Sequence, residues 1–173
     1  MSPNERVAIV GGTFTPIHDG HRALLHAAFQ TASHDGDGAG HLIVALTTSE
    51  FANRTRTGTE EADIFGPFDE RRAALGDELE RTSGAYTASH EVVSLADTYG
   101  PATTRDDIDA LVVSPEGKAQ HRAHQINDRR VAEERAPLEV HTAPFVIADD
   151  GTRISSTRVR NDEIDTHGRI LDE

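Results

Sequence analysis

The chain has 173 residues, of which 36% are hydrophobic and none is cysteine, and its 30 acidic against 17 basic residues give a formal net charge of −13. The lack of cysteine excludes disulfides, zinc–thiolate sites and a cysteine nucleophile, and the acidic balance argues against nucleic-acid partners, whose phosphates would be repelled. The length predicts a single domain over residues 1–173, and because no apolar run reaches membrane-spanning length and no signal peptide is evident, we expect no membrane association and a cytoplasmic location.

The first element is a strand over residues 7–10, where four apolar residues in a row indicate burial on both faces of a sheet. Gly11 and Gly12 then allow the backbone to turn sharply and to approach a ligand closely, and Thr13 adds a hydroxyl. This turn predicts a phosphate site.

A helix follows, predicted by apolar residues at helical spacing between positions 24 and 29. His18 and His21 flank its start, where free amides and the helix dipole favour anions. Imidazoles at this place are able to donate hydrogen bonds to phosphate oxygens.

The segment 11–21, GGTFTPIHDGH, resembles the GTFxPxHxGH signature of the nucleotidyltransferase superfamily, whose members transfer a nucleotidyl group from a triphosphate to a phosphate or similar acceptor. It has neither the GxGxxG of dinucleotide-binding folds nor the Lys-Ser/Thr ending of a P-loop. The resemblance implies catalytic roles for His18 and His21. It also implies ATP binding by Gly12, Thr13, Phe14, His18 and His21. The alternative is two ordinary surface histidines beside a glycine turn.

Residues 32–40 are predicted to be a polar, glycine-rich loop, and His41 to Thr48 a second buried strand. A strand, a helix and a strand of these lengths form a right-handed βαβ unit with parallel strands. Ligands bind at the carboxyl ends of such strands, so Thr13 and Thr47 are both expected beside the substrate.

Residues 51–67 are predicted to be an irregular connection that carries Arg54 and Arg56. In the superfamily a basic residue, usually lysine, follows the second strand and stabilises the reacting phosphates, and the resemblance puts Arg54 at that position as a catalytic and substrate-binding residue. Arginine binds a phosphate bidentately, whereas lysine offers a compact charge. The alternative is two solvated loop arginines.

Pro67 predicts the start of another helix. Arg71 and Arg72 lie near this start, and either is a candidate to bind the phosphate of the acceptor substrate. The alternative is that these arginines form ion pairs on the helix surface with Asp69, Glu70 or Glu78.

A predicted strand over residues 88–95 leads into the turn Asp97 to Pro101, DTYGP, and a strand over 109–114 is followed by Pro115 and Glu116. These two segments resemble one branch of the superfamily, the archaeal and eukaryotic phosphopantetheine adenylyltransferases. In the next helix, residues 126–130 are similar to an INxxR pattern of that branch, although the residues between Glu116 and Ile126 match poorly.

Near the C-terminus, residues 154–160 read ISSTRVR and open a short helix with hydroxyl side chains. Such residues commonly cap a helix and do nothing more. In the nucleotidyltransferases, however, an ISSTxxR segment contacts the β and γ phosphates. The resemblance therefore implies ATP binding by Ser155, Ser156, Thr157 and Arg160.

With a fifth strand predicted at residues 144–148, the alternation of strands and helices predicts an α/β domain, a five-stranded parallel sheet with helices on both faces. The resemblance adds a Rossmann-like nucleotidyltransferase fold with strand order 3-2-1-4-5.

The activity implied by the resemblance is transfer of the adenylyl group of ATP to 4′-phosphopantetheine, giving dephospho-coenzyme A and pyrophosphate. Mg²⁺ is expected to bridge ATP phosphates through substrate and water, with no protein ligand. His121 and His124 lie one turn apart, but no third ligand is spaced to complete a metal site. The alternatives are a sister enzyme, a cytidylyltransferase or an FMN adenylyltransferase, and a non-catalytic adenine-nucleotide sensor.

The excess of acidic residues is joined by a near absence of lysine, since Lys118 is the only one. This composition is similar to that of proteins from salt-loving organisms, in which concentrated cations screen the self-repulsion. The alternative is an acidic protein of an ordinary organism.

Overall fold

The computed structural model describes residues 5–33, 40–57 and 64–172. Within these ranges the chain forms a five-stranded sheet with strand order β3-β2-β1-β4-β5, in which all neighbours are parallel. The strands are β1 (Arg6–Gly12), β2 (Gly40–Thr47), β3 (Ser89–Leu95), β4 (Ala110–Val113) and β5 (Glu139–Thr142). The helices are α1 (Asp19–Ala32), α2 (Ser49–Thr57), α3 (Phe68–Ser83), α4 (Pro101–Thr104), α5 (Gly117–Ala132) and α6 (Ser156–Arg160). The predicted fold class and strand order are confirmed.

The central strand β1 sends alternate side chains into two cores. Val10 packs with Phe29 of α1 and Leu75 of α3 on one face of the sheet. Ile9 packs with Ile126 of α5 on the other face. Burial on both faces explains the continuous apolar run of this strand, and it fixes the turn at the carboxyl end of the strand between two helical layers.

The prediction of the fifth strand was wrong. β5 spans Glu139–Thr142, and among the described strands it pairs only with β4; its four residues are exposed. An edge strand without a covering layer has no apolar run by which sequence patterns would find it. The apolar segment 144–148 instead crosses beyond the end of β5, where Ala148 packs against Ile154 and Ile164.

Part of the predicted irregular connection is also a helix. The Thr48 hydroxyl accepts a hydrogen bond from the Phe51 N–H at 3.2 Å at the start of α2, and Phe51 and Ala52 are buried. Because the segment is rich in threonine and arginine, it shows little apolar periodicity. The predicted glycine-rich loop falls largely on residues 34–39, and the middle of the connection on 58–63, and both ranges lie outside the described residues. The end of the connection, 64–67, is described and includes the buried Phe65.

The INxxR-like pattern has a structural role. The Asn127 side chain donates to the Leu138 carbonyl at 2.9 Å and accepts from its N–H at 2.8 Å. Arg130 is 2% exposed and donates to the carbonyls of Ala102 and Arg105, each at 2.8 Å. These contacts fasten α5 to α4 and to the approach to β5. No helix in the described ranges has the length and apolarity needed to cross a membrane.

Candidate active site

A cavity of about 560 Å³ opens at the carboxyl ends of the central strands. Its lining includes Gly12 of β1, Thr47 of β2 and Val113 of β4, together with residues from the start of α1 and from the C-terminal segment. Open parallel sheets bind their ligands at this edge. The fold therefore places the two predicted phosphate-binding motifs on one cavity.

The turn after β1 carries Thr13 and Phe14. The Thr47 hydroxyl donates to the Thr13 hydroxyl at 3.1 Å, which joins the ends of β1 and β2 as predicted. Phe14 has a φ of 51° and is 2% exposed, and its ring lies 5.3 Å from the His21 ring. A Cβ at Gly12 would lie 3.1 Å from a ring carbon of Phe14, so the glycine makes room for this ring.

His18 is the N-cap of α1. Its Nδ1 accepts hydrogen bonds from the N–H groups of Gly20 at 3.1 Å and His21 at 3.4 Å. Desolvation by burial lowers the pKa of His18 to about 4, so the ring is neutral at neutral pH. Because Nδ1 is an acceptor, the ring proton is at Nε2.

His21 completes a capping box, since its Nδ1 accepts from the His18 N–H at 3.3 Å. The two rings are stacked, with centroids 3.9 Å apart and planes inclined by 22°. Both line the cavity. The helix start thus holds two imidazoles in one fixed arrangement, each with Nδ1 engaged by backbone.

The second motif reaches the first through His18. Its Nε2 lies 3.2 Å from the Ser156 hydroxyl at the start of α6, and with the proton at Nε2 the imidazole is the donor. Arg160 donates to the Thr15 carbonyl at 3.0 Å, which ties the end of α6 to the turn after β1. Ser155 accepts from the Arg158 N–H at 3.3 Å, so it caps α6 while also lining the cavity.

The two arginines of α6 are used differently. Arg160 lines the cavity, with its guanidinium 5.1 Å from the centroid of Phe65 and 3.4 Å from the Thr157 hydroxyl. Arg158 instead forms ion pairs with Asp150 and Glu163. This division agrees with the alignment of Arg160 to the last position of the ISSTxxR pattern.

Arg54 is not among the residues that line the cavity. It is exposed on α2, and its guanidinium lies 5.7 Å from the centroid of Phe51, which does line the cavity. The side chain of Arg56 lies outside what the structure describes. The catalytic and substrate-binding role of Arg54 remains a prediction.

Arg71 occupies a different place from either prediction. It is 4% exposed and donates to the carbonyls of Thr13 at 3.3 Å and Thr47 at 2.7 Å. The alternative prediction of an ion pair between Arg71 and Glu78 is wrong, because Glu78 pairs with Arg22 and Arg81. Arg71 therefore joins the ends of β1 and β2 through hydrogen bonds to their carbonyls, and it does not line the cavity.

Other lining residues were not found from the sequence. Lys118 and Arg122 of α5 line the cavity, as do Glu116 and Arg153, which form an ion pair with each other. The signal available was the stripe of residues 118, 119, 122, 123 and 126 on one face of α5, because these positions share a face of a helix. This stripe can be recognised as part of the cavity only when the positions of the neighbouring strands are known.

One wall of the cavity is apolar. It is formed by Leu95 of β3, Tyr99 just before α4, Ala102 of α4, Leu111 of β4, and Ala123 and Ile126 of α5. The DTYGP turn is folded by Asp97, whose carboxylate accepts from the N–H groups of Tyr99 at 3.0 Å and Gly100 at 2.6 Å. The turn places the Tyr99 ring against Arg129, 3.8 Å from its guanidinium. This wall offers a surface for an uncharged part of a substrate.

Known proteins of one family are similar to this chain over most of its length. The model of the cytidylyltransferase-like family matches residues 9–162. The chain is 37% identical over 164 residues to a phosphopantetheine adenylyltransferase of Methanosarcina mazei, covering 95% of this chain and 96% of the relative. It is 35% identical over 158 residues to a protein of the same name from Methanopyrus kandleri, covering 91% and 90%.

A crystal structure of a protein of unknown function from Archaeoglobus fulgidus has a TM-score of 0.62 and 24% identity, covering 81% of this chain and 99% of that one. This likeness concerns the fold. The fold, the paired motifs and the matching family model together define a nucleotidyltransferase of the cytidylyltransferase-like family. Within it, the nearly full-length relatives show that the chain belongs to the archaeal phosphopantetheine adenylyltransferase family.

Proposed function

We propose that this protein transfers the adenylyl group of ATP to 4′-phosphopantetheine, giving dephospho-coenzyme A and pyrophosphate in coenzyme A biosynthesis. The observation that carries the proposal is the contact between His18 and Ser156, which joins two phosphate-binding motifs from distant parts of the chain on one cavity. The choice of acceptor is supported by the name of the relatives, which match over nearly their whole length.

In the proposed reaction, an oxygen of the acceptor phosphate attacks the α-phosphorus of ATP. The bond from that phosphorus to the bridging oxygen breaks, and the electron pair leaves with pyrophosphate. The attacking phosphate is already anionic at neutral pH, so the reaction needs no protein nucleophile. Alignment of the substrates and stabilisation of charge then provide the rate enhancement.

Each motif has a part in this scheme. His21 donates to the α and β phosphates as charge builds on the bridging oxygen. The one proton of neutral His18, at Nε2, is donated to the Ser156 hydroxyl in this structure. When the phosphates replace that hydroxyl, His18 donates to them as an uncharged donor because its pKa is about 4. Residues 155–157 and Arg160 hold the leaving pyrophosphate. Thr13 contacts the acceptor phosphate.

The acceptor side also includes Thr47, which lines the cavity beside Thr13, and Arg54. Arg54 lies on α2, whose Phe51 and Thr55 line the cavity, so this helix is the element through which Arg54 would approach the acceptor. Arg71 supports Thr13 and Thr47 through their carbonyls and is assigned a positioning role.

Magnesium would be held by the substrate. Within the described ranges, no group of three or more His, Cys, Asp or Glu side chains is arranged to bind a metal ion. Glu116 is the one carboxylate among the described lining residues, and Arg153 neutralises it. Mg²⁺ bound through ATP phosphates and water, where it offsets phosphate charge, fits this donor set better than a protein-held ion.

The apolar wall formed by Leu95, Tyr99, Leu111 and Ile126 suits the uncharged pantetheine arm. The arm has few polar groups for its length, and burying it against aliphatic and aromatic side chains is favourable at roughly 25 cal/mol per Å². The polar groups of the cavity are then left for the phosphates.

The test is a substrate panel that measures pyrophosphate release with magnesium at high salt. ATP and CTP are each combined with phosphopantetheine, glycerol phosphate, FMN and nicotinamide mononucleotide. We expect ATP with phosphopantetheine to be the best pair, and release to require both substrates because transfer is direct. A stronger signal with CTP or FMN would assign the protein to a sister activity, and no signal with any pair would support the sensor.

A further inference from the structure

Four lysine or arginine side chains line the cavity in the described part of the chain: Lys118, Arg122, Arg153 and Arg160. Arg153 is paired with Glu116, and Arg160 donates to the Thr15 carbonyl. Lys118 and Arg122 make no ion pair and no side-chain hydrogen bond within the described ranges. Lys118 and Arg122 thus differ from Arg153 and Arg160 in that none of their side-chain donors is engaged by another described residue.

These two cations share one face of α5. They lie one turn apart, and Ala119, Ala123 and Ile126 of the same face also line the cavity. Ala123 and Ile126 are buried, whereas Lys118 and Arg122 are exposed. The face is therefore apolar where it packs against the sheet and positively charged where it meets solvent at the cavity.

The position of these two cations contrasts with the negative net charge of the chain. A protein with a formal net charge of −13 repels polyphosphates at long range. Its single lysine is nevertheless Lys118, which lines the cavity. The one lysine of the chain therefore lies where a polyphosphate would bind.

We propose that Lys118 and Arg122 form a second phosphate subsite, which binds the β and γ phosphates of ATP from the α5 wall of the cavity. The inference rests on the proposed function for the identity of the nucleotide. The ion pair between Glu116 and Arg153 supports the location, because it joins the start of α5 to the residues just before Ser155. Lys118 therefore lies beside the segment that holds the leaving pyrophosphate.

The two side chains complement each other chemically. The Arg122 guanidinium matches two phosphate oxygens with a planar pair of donors, and the Lys118 ammonium is a compact charge with three donors. The first N–H groups of α5 add the favourable end of the helix dipole. Together with Arg160, this arrangement contacts the distal phosphates from two elements, α5 and α6.

The experiment is a direct titration of the full chain with ATP, AMP and pyrophosphate at one fixed concentration of KCl and MgCl₂. The variants are Lys118→Gln, Arg122→Gln and the double variant. Arg72→Gln is the matched control, because Arg72 is an exposed arginine of α3 that does not line the cavity. Arg160→Ala serves as the comparison, because Arg160 belongs to the C-terminal motif that is proposed to hold the same phosphates.

We expect each single substitution to weaken ATP and pyrophosphate binding about five- to tenfold, as for a partly exposed charge-assisted contact. AMP binding should change less than about twofold, since AMP lacks the distal phosphates. Arg72→Gln should leave all three affinities unchanged. The variants Lys118→Arg and Arg122→Lys, which keep the positive charge, should retain most of the ATP affinity of the parent protein.

Unchanged ATP affinity in the double variant would overturn the inference, and so would an equal loss for AMP and ATP. A raised KM for phosphopantetheine with unchanged ATP affinity would also overturn it, because the subsite would then belong to the acceptor. Turnover of the unsubstituted protein is measured separately. A failure of the proposed function is thereby distinguished from a failure of the second subsite.

Discussion

His18 Nε2 lies 3.2 Å from the Ser156 hydroxyl, although 138 residues separate them in the chain. The same imidazole accepts two backbone N–H groups at Nδ1 and is 5% exposed. One neutral side chain therefore caps α1, fixes its own tautomer and joins the N-terminal motif to the C-terminal one. Because this buried imidazole stays neutral, the folded protein loses stability at low pH.

This loss of stability at low pH is the first prediction. The pKa of His18 is about 4 in the folded protein and 6.5 for an ordinary histidine. Above pH 6.5 both states are neutral, and between pH 6.5 and 4 the unfolded state takes up the proton, so stability falls as the pH falls. The expected loss at pH 4 is about 2–3 kcal/mol.

The measurement is urea denaturation of the parent protein and of His18→Asn from pH 8 to pH 4 at constant salt. Asparagine is a good N-cap and does not titrate in this range. The stability difference between the two proteins should be constant above pH 6.5 and should shift by about 2–3 kcal/mol in favour of the variant at pH 4. Parallel curves down to pH 4 would contradict a buried neutral His18.

The second prediction concerns His21, whose Nδ1 accepts from the His18 N–H. Glutamine at this position retains the capping-box contact, whereas alanine loses it. We expect both His21→Gln and His21→Ala to lower turnover on the order of ten- to thousandfold, with a smaller change in ATP affinity. Single-turnover kinetics and ATP titration separate the two effects.

The outcome for glutamine is decisive. If His21→Gln keeps full turnover and only His21→Ala loses it, the residue acts through the helix cap and not through its imidazole. Equal losses of ATP binding and turnover in both variants would contradict a role confined to the transition state.

The sequence predicted the elements whose local pattern reflects their environment. Val7 to Val10 are buried on both faces of the sheet, and two glycines follow them at the turn, so the apolar run and the glycines were sufficient to predict this strand and its end. β5 was missed because an edge strand carries no such run, and α2 because its threonines and arginines mask the helical period. The two histidines and Ser156 were predicted to serve one site, but their direct contact depends on tertiary packing.

Arg71 shows a different limit. A helical arginine with acidic neighbours is normally a surface ion pair, and nothing in the local sequence indicates that this one is buried. Its partners are the carbonyls of Thr13 and Thr47, 58 and 24 residues away. Only the packing of α3 behind β1 and β2 reveals that contact.

The third prediction follows from this placement. Arg71→Leu leaves the buried Thr47 carbonyl without its guanidinium donor, and it removes one of the two side-chain donors to the half-buried Thr13 carbonyl. We expect it to lower the free energy of unfolding by about 2–4 kcal/mol. The exposed neighbour Arg72→Gln should change it by less than about 0.5 kcal/mol. Urea denaturation at constant salt provides both values.

Kinetics of Arg71→Leu then distinguish support from substrate contact. Displacement of Thr13 and Thr47 should lower turnover as well as stability. A variant of unchanged stability with a raised KM for phosphopantetheine alone would restore the direct substrate role that the sequence suggested.

The last prediction concerns the net charge of −13. At about 1 M salt the screening length falls to roughly 3 Å, so repulsion among exposed carboxylates is largely removed. We expect the melting temperature to rise with KCl into the molar range, and to rise similarly with NaCl because screening does not depend on the cation.

Asp128→Asn is the matched variant, since Asp128 is exposed on α5 and has no ion-pair partner in the described ranges. It should stabilise the protein at low salt, and this gain should shrink as KCl is added. A flat or falling melting temperature would contradict adaptation to salt and would leave the proposed adenylyl transfer untouched.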